Sequence, residues 1–172
     1  VALCEEQPDV EFEAIYKQGL NHPSVPVRLS SLRGLEESGD RALITPLSNM
    51  LLTDPSVEVR AASAIPLTCL SALAQEKKLG SKDGAALSRV LYGVLENERE
   101  VQTVRLKALE AVSVFGGDRL ASYVETAASS SDTSALKSSL FAMGRSCDPR
   151  WIDNVLLHLE HDVASIRYEA AM

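Results

Sequence analysis

One short pattern recurs along the chain and limits its fold more than any other feature. It combines a turn residue, an aliphatic pair flanking one position, a base and a run of small apolar residues. It reads His22-Pro-Ser-Val-Pro-Val-Arg28-Leu-Ser-Ser-Leu and then Asp54-Pro-Ser-Val-Glu-Val-Arg60-Ala-Ala-Ser-Ala. It returns as Glu100-Val-Gln-Thr-Val-Arg105-Leu-Lys-Ala-Leu, as Ala135-Leu-Lys137-Ser-Ser-Leu, and as Val163-Ala-Ser-Ile-Arg167-Tyr-Glu-Ala-Ala. Successive bases are 32, 45, 32 and 30 residues apart. A helical pattern with this period belongs to stacked helix pairs, each too small to bury its apolar face alone.

The spacing predicts two helices per unit. The outer helices are expected near residues 9–20, 41–52, 84–96, 119–130 and 150–160. The repeat-bearing inner helices are expected near 24–38, 56–78, 100–115, 133–145 and from 163 onward. Leu43, Leu47, Met50 and Leu51 form one apolar stripe at helical spacing. Gly39, Gly116-Gly117 and Gly144 are placed to close inner helices, and Asp40, Asp118 and Asp148 to cap the outer helices that follow. Pro46 and Pro66 fall inside helices and are expected to bend them. The 45-residue interval reads as a lengthened inner helix, closed around Gly80–Gly84, that leaves Gln75–Lys78 at the rim. The fold class is therefore all-α: an α-α superhelix, right-handed, of stacked antiparallel helix pairs.

Composition narrows the function. A net charge of −7 opposes a phosphate-binding face, so nucleic acid is not the expected partner. No run of 18 apolar residues occurs, and no membrane span is expected. Cys4, Cys69 and Cys147 are odd in number and widely spaced, which suits packed thiols in a reducing, cytoplasmic setting rather than a disulfide framework. His158, His161 and Asp162 have the spacing of metal ligands but no complement elsewhere, and read as a solvated turn; Trp151 reads as a packing residue. No nucleophile elbow, phosphate loop or dinucleotide fingerprint occurs, so no catalytic residue and no cofactor are assigned.

Pro46, Asp54 and Arg60, with the string Gly39-Asp-Arg-Ala-Leu-Ile-Thr-Pro-Leu before them, resemble HEAT repeats, in particular the bacterial HEAT-like repeats of the phycobilisome-lyase type. The resemblance spans nearly all of residues 1–172, as one domain of four to five helix pairs within a longer array. Asn21-His22, Asn97-Glu98-Arg99 and Lys137 depart from the pattern. The resemblance implies that Asp54, Arg28, Arg60, Arg105 and Arg167 form a structural ladder between units, with Pro46 in the outer helix. It also implies a concave surface of inner helices, where Leu29, Arg33, Ala61, Ile65, Leu106, Lys107, Glu110 and Tyr168 would meet a protein or peptide. The expected role is a non-enzymatic interaction scaffold. The alternative is an enzyme or enzyme subunit of the bilin-lyase type, with a DNA-glycosylase type less favoured on charge.

Overall fold

The structure is a computed structural model, and residues 12–172 are described. The expected start of the first helix at residue 9, and Cys4, lie outside them. The described residues form ten α-helices and no strand. They are α1 (Phe12–Gly19), α2 (Val25–Gly34), α3 (Ile44–Thr53), α4 (Val57–Gln75), α5 (Ser81–Glu96), α6 (Gln102–Val112), α7 (Gly117–Ala128), α8 (Thr133–Ser146), α9 (Ile152–His158) and α10 (Ala164–Ala171). Single 3-10 turns occur at Arg41–Leu43, Ser113–Phe115 and Pro149–Trp151.

Consecutive helices pack as pairs: α1 on α2, α3 on α4, α5 on α6, α7 on α8 and α9 on α10. The even-numbered inner helices also touch in series, α2 to α4 to α6 to α8 to α10. The core runs along the contact of the two layers. Leu35, Leu47, Leu51, Leu67, Leu70, Leu87, Leu91 and Val104 are fully buried there. Each such leucine contributes about 1.5–3 kcal/mol by leaving water. Aliphatic and small residues dominate this core, and Ala64, Ala108, Ala111 and Ala142 let neighbouring helices approach closely.

Helix ends differ from expectation in instructive ways. Asp40 and Asp148 do cap, accepting from the amides of Ala42 and Arg150. Asp118 does not, because α7 already begins at Gly117, and its carboxylate projects into solvent toward Arg150. Among the expected glycine stops, only Gly116 and Gly117 adopt positive φ, at 60° and 85°. Gly144 lies within α8, which ends instead on left-handed Cys147 (φ 50°). The lengthened helix α4 is continuous through Pro66 and ends at Gln75, where Lys77 turns left-handed (φ 60°) and the Lys78 amide reaches back to the Leu73 carbonyl. Gly80 caps the next helix rather than closing this one, and Gly84 sits inside α5 against Ala74. Pro46 lies in the first turn of α3, directly after a 3-10 turn, so its missing N–H falls where a helix start has few intrahelical bonds to lose.

With 19 residues and a mean hydropathy of 1.3 over an 18-residue window, α4 has the length and composition of a membrane-crossing helix. The sequence expectation relied on an unbroken apolar run, which Glu58 and Arg60 interrupt. In the fold α4 is packed by α2, α3, α5 and α6.

Candidate functional site

The inner layer holds a groove of about 840 Å³. Its three long borders are helices of unequal length: α4 has 19 residues, α6 has 11 and α8 has 14. At 1.5 Å per residue, α4 outreaches α6 by roughly 12 Å. Beyond Val112 the chain makes one 3-10 turn, and the two positive-φ glycines redirect it into α7. α6 packs between α4 and α8, so it is the floor and they are the walls.

Ile65, Thr68, Cys69, Ala72, Leu73 and Glu76 form the α4 wall at helical spacing. Thr103, Leu106, Lys107 and Glu110 form the floor, and Ser134, Lys137, Ser138, Phe141 and Arg145 the α8 wall. Glu36 and Glu169 reach in from the two ends. The lining mixes apolar side chains with equal numbers of acids and bases. Glu110 is held in place from two sides: Lys107 Nζ lies 2.7 Å from its carboxylate and Ser138 Oγ donates to it at 2.6 Å. Glu76 pairs with Lys78 at 2.6 Å. Among the described residues Lys137 and Arg145 make no ion pair. Burial holds the Cys69 thiol above its ordinary value, Glu37 adds to the shift, and Arg145 opposes it. A thiol so placed stays protonated at neutral pH and is a poor nucleophile.

Of the expected contact residues, Ile65, Leu106, Lys107 and Glu110 lie together in this groove. Ala61 is buried, on a helix packed by α2, α3, α5 and α6. Leu29 packs on the core, and exposed Arg33 stands on α2, two inner helices away from the floor. Tyr168 is exposed on α10, but its neighbour Glu169 is the residue that faces the groove. Sequence reading missed Thr68, Cys69, Ala72, Leu73, Phe141 and Arg145. Their signal was the continuation of the Ile65 stripe at three- and four-residue steps, and the same stripe on α8.

The inter-unit contacts were only partly foreseen. Arg28 Nη2 donates to Asp54 Oδ1 at 2.9 Å, its Nε lies 2.9 Å from Oδ2, and its Nη1 donates to the carbonyls of His22 and Pro23. Asp54 also accepts from the amide of Ser56, whose hydroxyl in turn caps α4 by accepting from the Val59 amide. Arg60 donates to the Asp54 carbonyl at 2.7 Å and, with two nitrogens, to Glu100 at 2.9 and 3.1 Å. At the next junction Gln102 takes the forward role, donating to Asp132 at 2.9 Å, while Arg105 donates only to the Leu95 carbonyl. Arg167 holds the carbonyls of His161 and Asp162.

A second series of ion pairs, on the outer helices, was not foreseen. It joins Lys17 to Asp40, Arg41 to Asp83, Arg119 to Glu96, and Arg150 to Asp118, one at every junction. Arg119 also stacks 3.9 Å over the Tyr92 ring, and Tyr123 donates to Glu96 at 3.0 Å. His158 engages the Asn154 carbonyl, and His161 Nδ1 accepts from the Val163 amide. Among the described residues no group of three His, Cys, Asp or Glu side chains converges as a metal site. Trp151 is buried.

The sequence matches no protein-family model and no curated protein.

Proposed function

We propose that this chain is a HEAT-like α-solenoid segment and acts as a non-enzymatic interaction scaffold, taking a protein or peptide into the groove over α6. The groove itself carries the reading. It runs across three helices, is open along its length, and offers Ile65, Leu73, Leu106 and Phe141 between charged side chains of both signs. That mixture fits an amphipathic peptide or helix laid along a groove. A small-molecule site would enclose most of its ligand. The serial contact of inner helices supports a superhelical stack, and a reducing, cytoplasmic location fits its thiols.

The test is selection of peptides from a random display library on the wild-type protein, followed by affinity measurement on variants. Leu106→Arg and Phe141→Arg should each weaken the selected peptides by tenfold or more. Arg150→Ala, on the outer layer, should leave them unchanged. Equal binding to all three variants overturns the reading.

A further inference from the structure

The charges lining the groove over α6 are unevenly matched. On the floor, Glu110 has Lys107 and Ser138, and past the end of α4, Glu76 has Lys78. Glu36, just after α2, and Glu169, on α10, stand at the two ends of the lining. Lys137 and Arg145 are both on α8. Among the described residues neither makes an ion pair or a side-chain hydrogen bond. On the three helices that build the groove, the unanswered lining charge is therefore positive and confined to one wall. This holds in a chain whose net charge is −7.

The order of side chains on that wall is a second observation. Lys137, Phe141 and Arg145 follow one another at four-residue steps, each roughly 6 Å along α8. Lys137 is half-buried, so its ammonium is partly drawn from water with no carboxylate to answer it. Arg145 is exposed, yet its charge acts on the Cys69 thiol of the opposite wall. Both bases thus address the space between the walls, one on each side of an aromatic ring.

We propose that the groove takes a helix of a partner protein that carries an acid, an apolar residue and a second acid at four-residue steps along the flank facing α8. This rests on the groove reading above and adds the chemistry of the occupant. One carboxylate meets Lys137, the apolar residue packs on Phe141, and the other carboxylate meets the Arg145 guanidinium. A basic helix would meet two like charges on this wall, and the acids nearest it, Glu110 and Glu76, already have partners. The groove lies in the middle of the inner series, so helix pairs stacked beyond α2 or α10 would lengthen it without covering α6.

Two display libraries of helix-forming peptides test this. Both randomise the apolar positions around a central residue. Four residues to either side of it, one library carries glutamate and the other lysine. The pattern reads the same in both directions, so the result does not depend on which way the peptide lies. Binders are expected from the glutamate library, and Lys137→Glu and Arg145→Glu should each weaken them at least tenfold. Lysine in place of one peptide glutamate should weaken binding to the wild-type chain and recover it on the matching variant. Arg145 is exposed, so its substitution leaves the fold intact, and the peptide exchange is read on an unaltered protein. Glutamate and lysine peptides of equal affinity, both lost on Leu106→Arg, overturn the assignment and leave the groove reading standing. Glutamate peptides indifferent to both α8 variants overturn it as well. So does the absence of binders from either library; the groove reading falls with it only if random selection also yields no peptide sensitive to Leu106→Arg.

Discussion

Arg60 reaches across forty residues to grip Glu100 with two nitrogens while its third holds the backbone carbonyl of Asp54. One side chain therefore closes the turn of its own unit and anchors the next. Both partners are largely shielded from solvent, at 16% and 12% side-chain exposure. Removing the arginine strands a carboxylate and a carbonyl together. Arg60→Ala should cost about 2–3 kcal/mol in a urea unfolding series. Arg150→Ala removes surface pairs with the almost fully solvated Asp118 and with Asp148 of its own turn, and should change stability far less than Arg60→Ala does. Equal effects would contradict the burial argument.

Acid should unfold the protein through these pairs. Arg60 holds the Glu100 carboxyl below its ordinary range, Arg119 does so for Glu96, Arg41 for Asp83 and Lys17 for Asp40. Each group binds its proton less readily in the folded chain than in the unfolded one. Their contribution is therefore complete above the unfolded values, about 3.9 for aspartate and 4.3 for glutamate, and is lost as pH falls through the lower folded values. Thermal midpoints should be level near neutrality and drop steadily below about pH 4.5. In Arg60→Gln part of that drop should disappear.

Glycines on exposed helical surfaces should be replaceable with gain. Gly93 in α5 and Gly144 in α8 lie within helices, and a methyl added at either meets nothing within 4 Å. Gly93→Ala and Gly144→Ala should each stabilise by about 0.5–1 kcal/mol. Gly34→Ala should act in the opposite direction, because the new methyl would overlap the Tyr16 ring. Differential scanning calorimetry of the three variants separates these signs.

Lys77 is the reverse case. A lysine occupies the left-handed position that ends α4, where glycine would carry no Cβ penalty. Lys77→Gly should raise stability by about 1 kcal/mol, or roughly 2–4 °C in melting midpoint for a chain of this size. No change would mean that Lys77 gains from contacts as much as it loses in backbone strain.

The helix pairs were legible in the sequence because period, caps and apolar stripes agreed at most boundaries. The lengthened α4 was legible too, since Leu67, Leu70, Leu73 and Ala74 carried the stripe across the long interval. Its end was not, because a lysine does the work usually given to glycine. Half of the expected contact residues fall in the groove. The others lie outside it, because a motif position fixes the rotation of a residue about its own helix but not what packs there. Ala61 is buried, Leu29 packs on the core, and Arg33 and Tyr168 stand exposed on α2 and α10. The outer ion pairs were invisible for a similar reason. Gly39-Asp40-Arg41 and Gly117-Asp118-Arg119 repeat one string, yet Arg41 pairs with Asp83 of the next unit and Arg119 with Glu96 of the unit before. The repeat marks the charges, and only the packed structure shows their partners.

The unequal lengths of α4 and α6 bear on how this groove can change. One added turn after Val112 would extend α6 by about 5.4 Å along its axis, under the part of α4 that now overhangs it. One turn removed before Gln75 would shorten that overhang by as much. The extent of the groove is thus set by residue counts near the loops, where insertions and deletions are best tolerated. A lineage of such chains could lengthen or trim the groove while the side chains now lining α6 stayed the same.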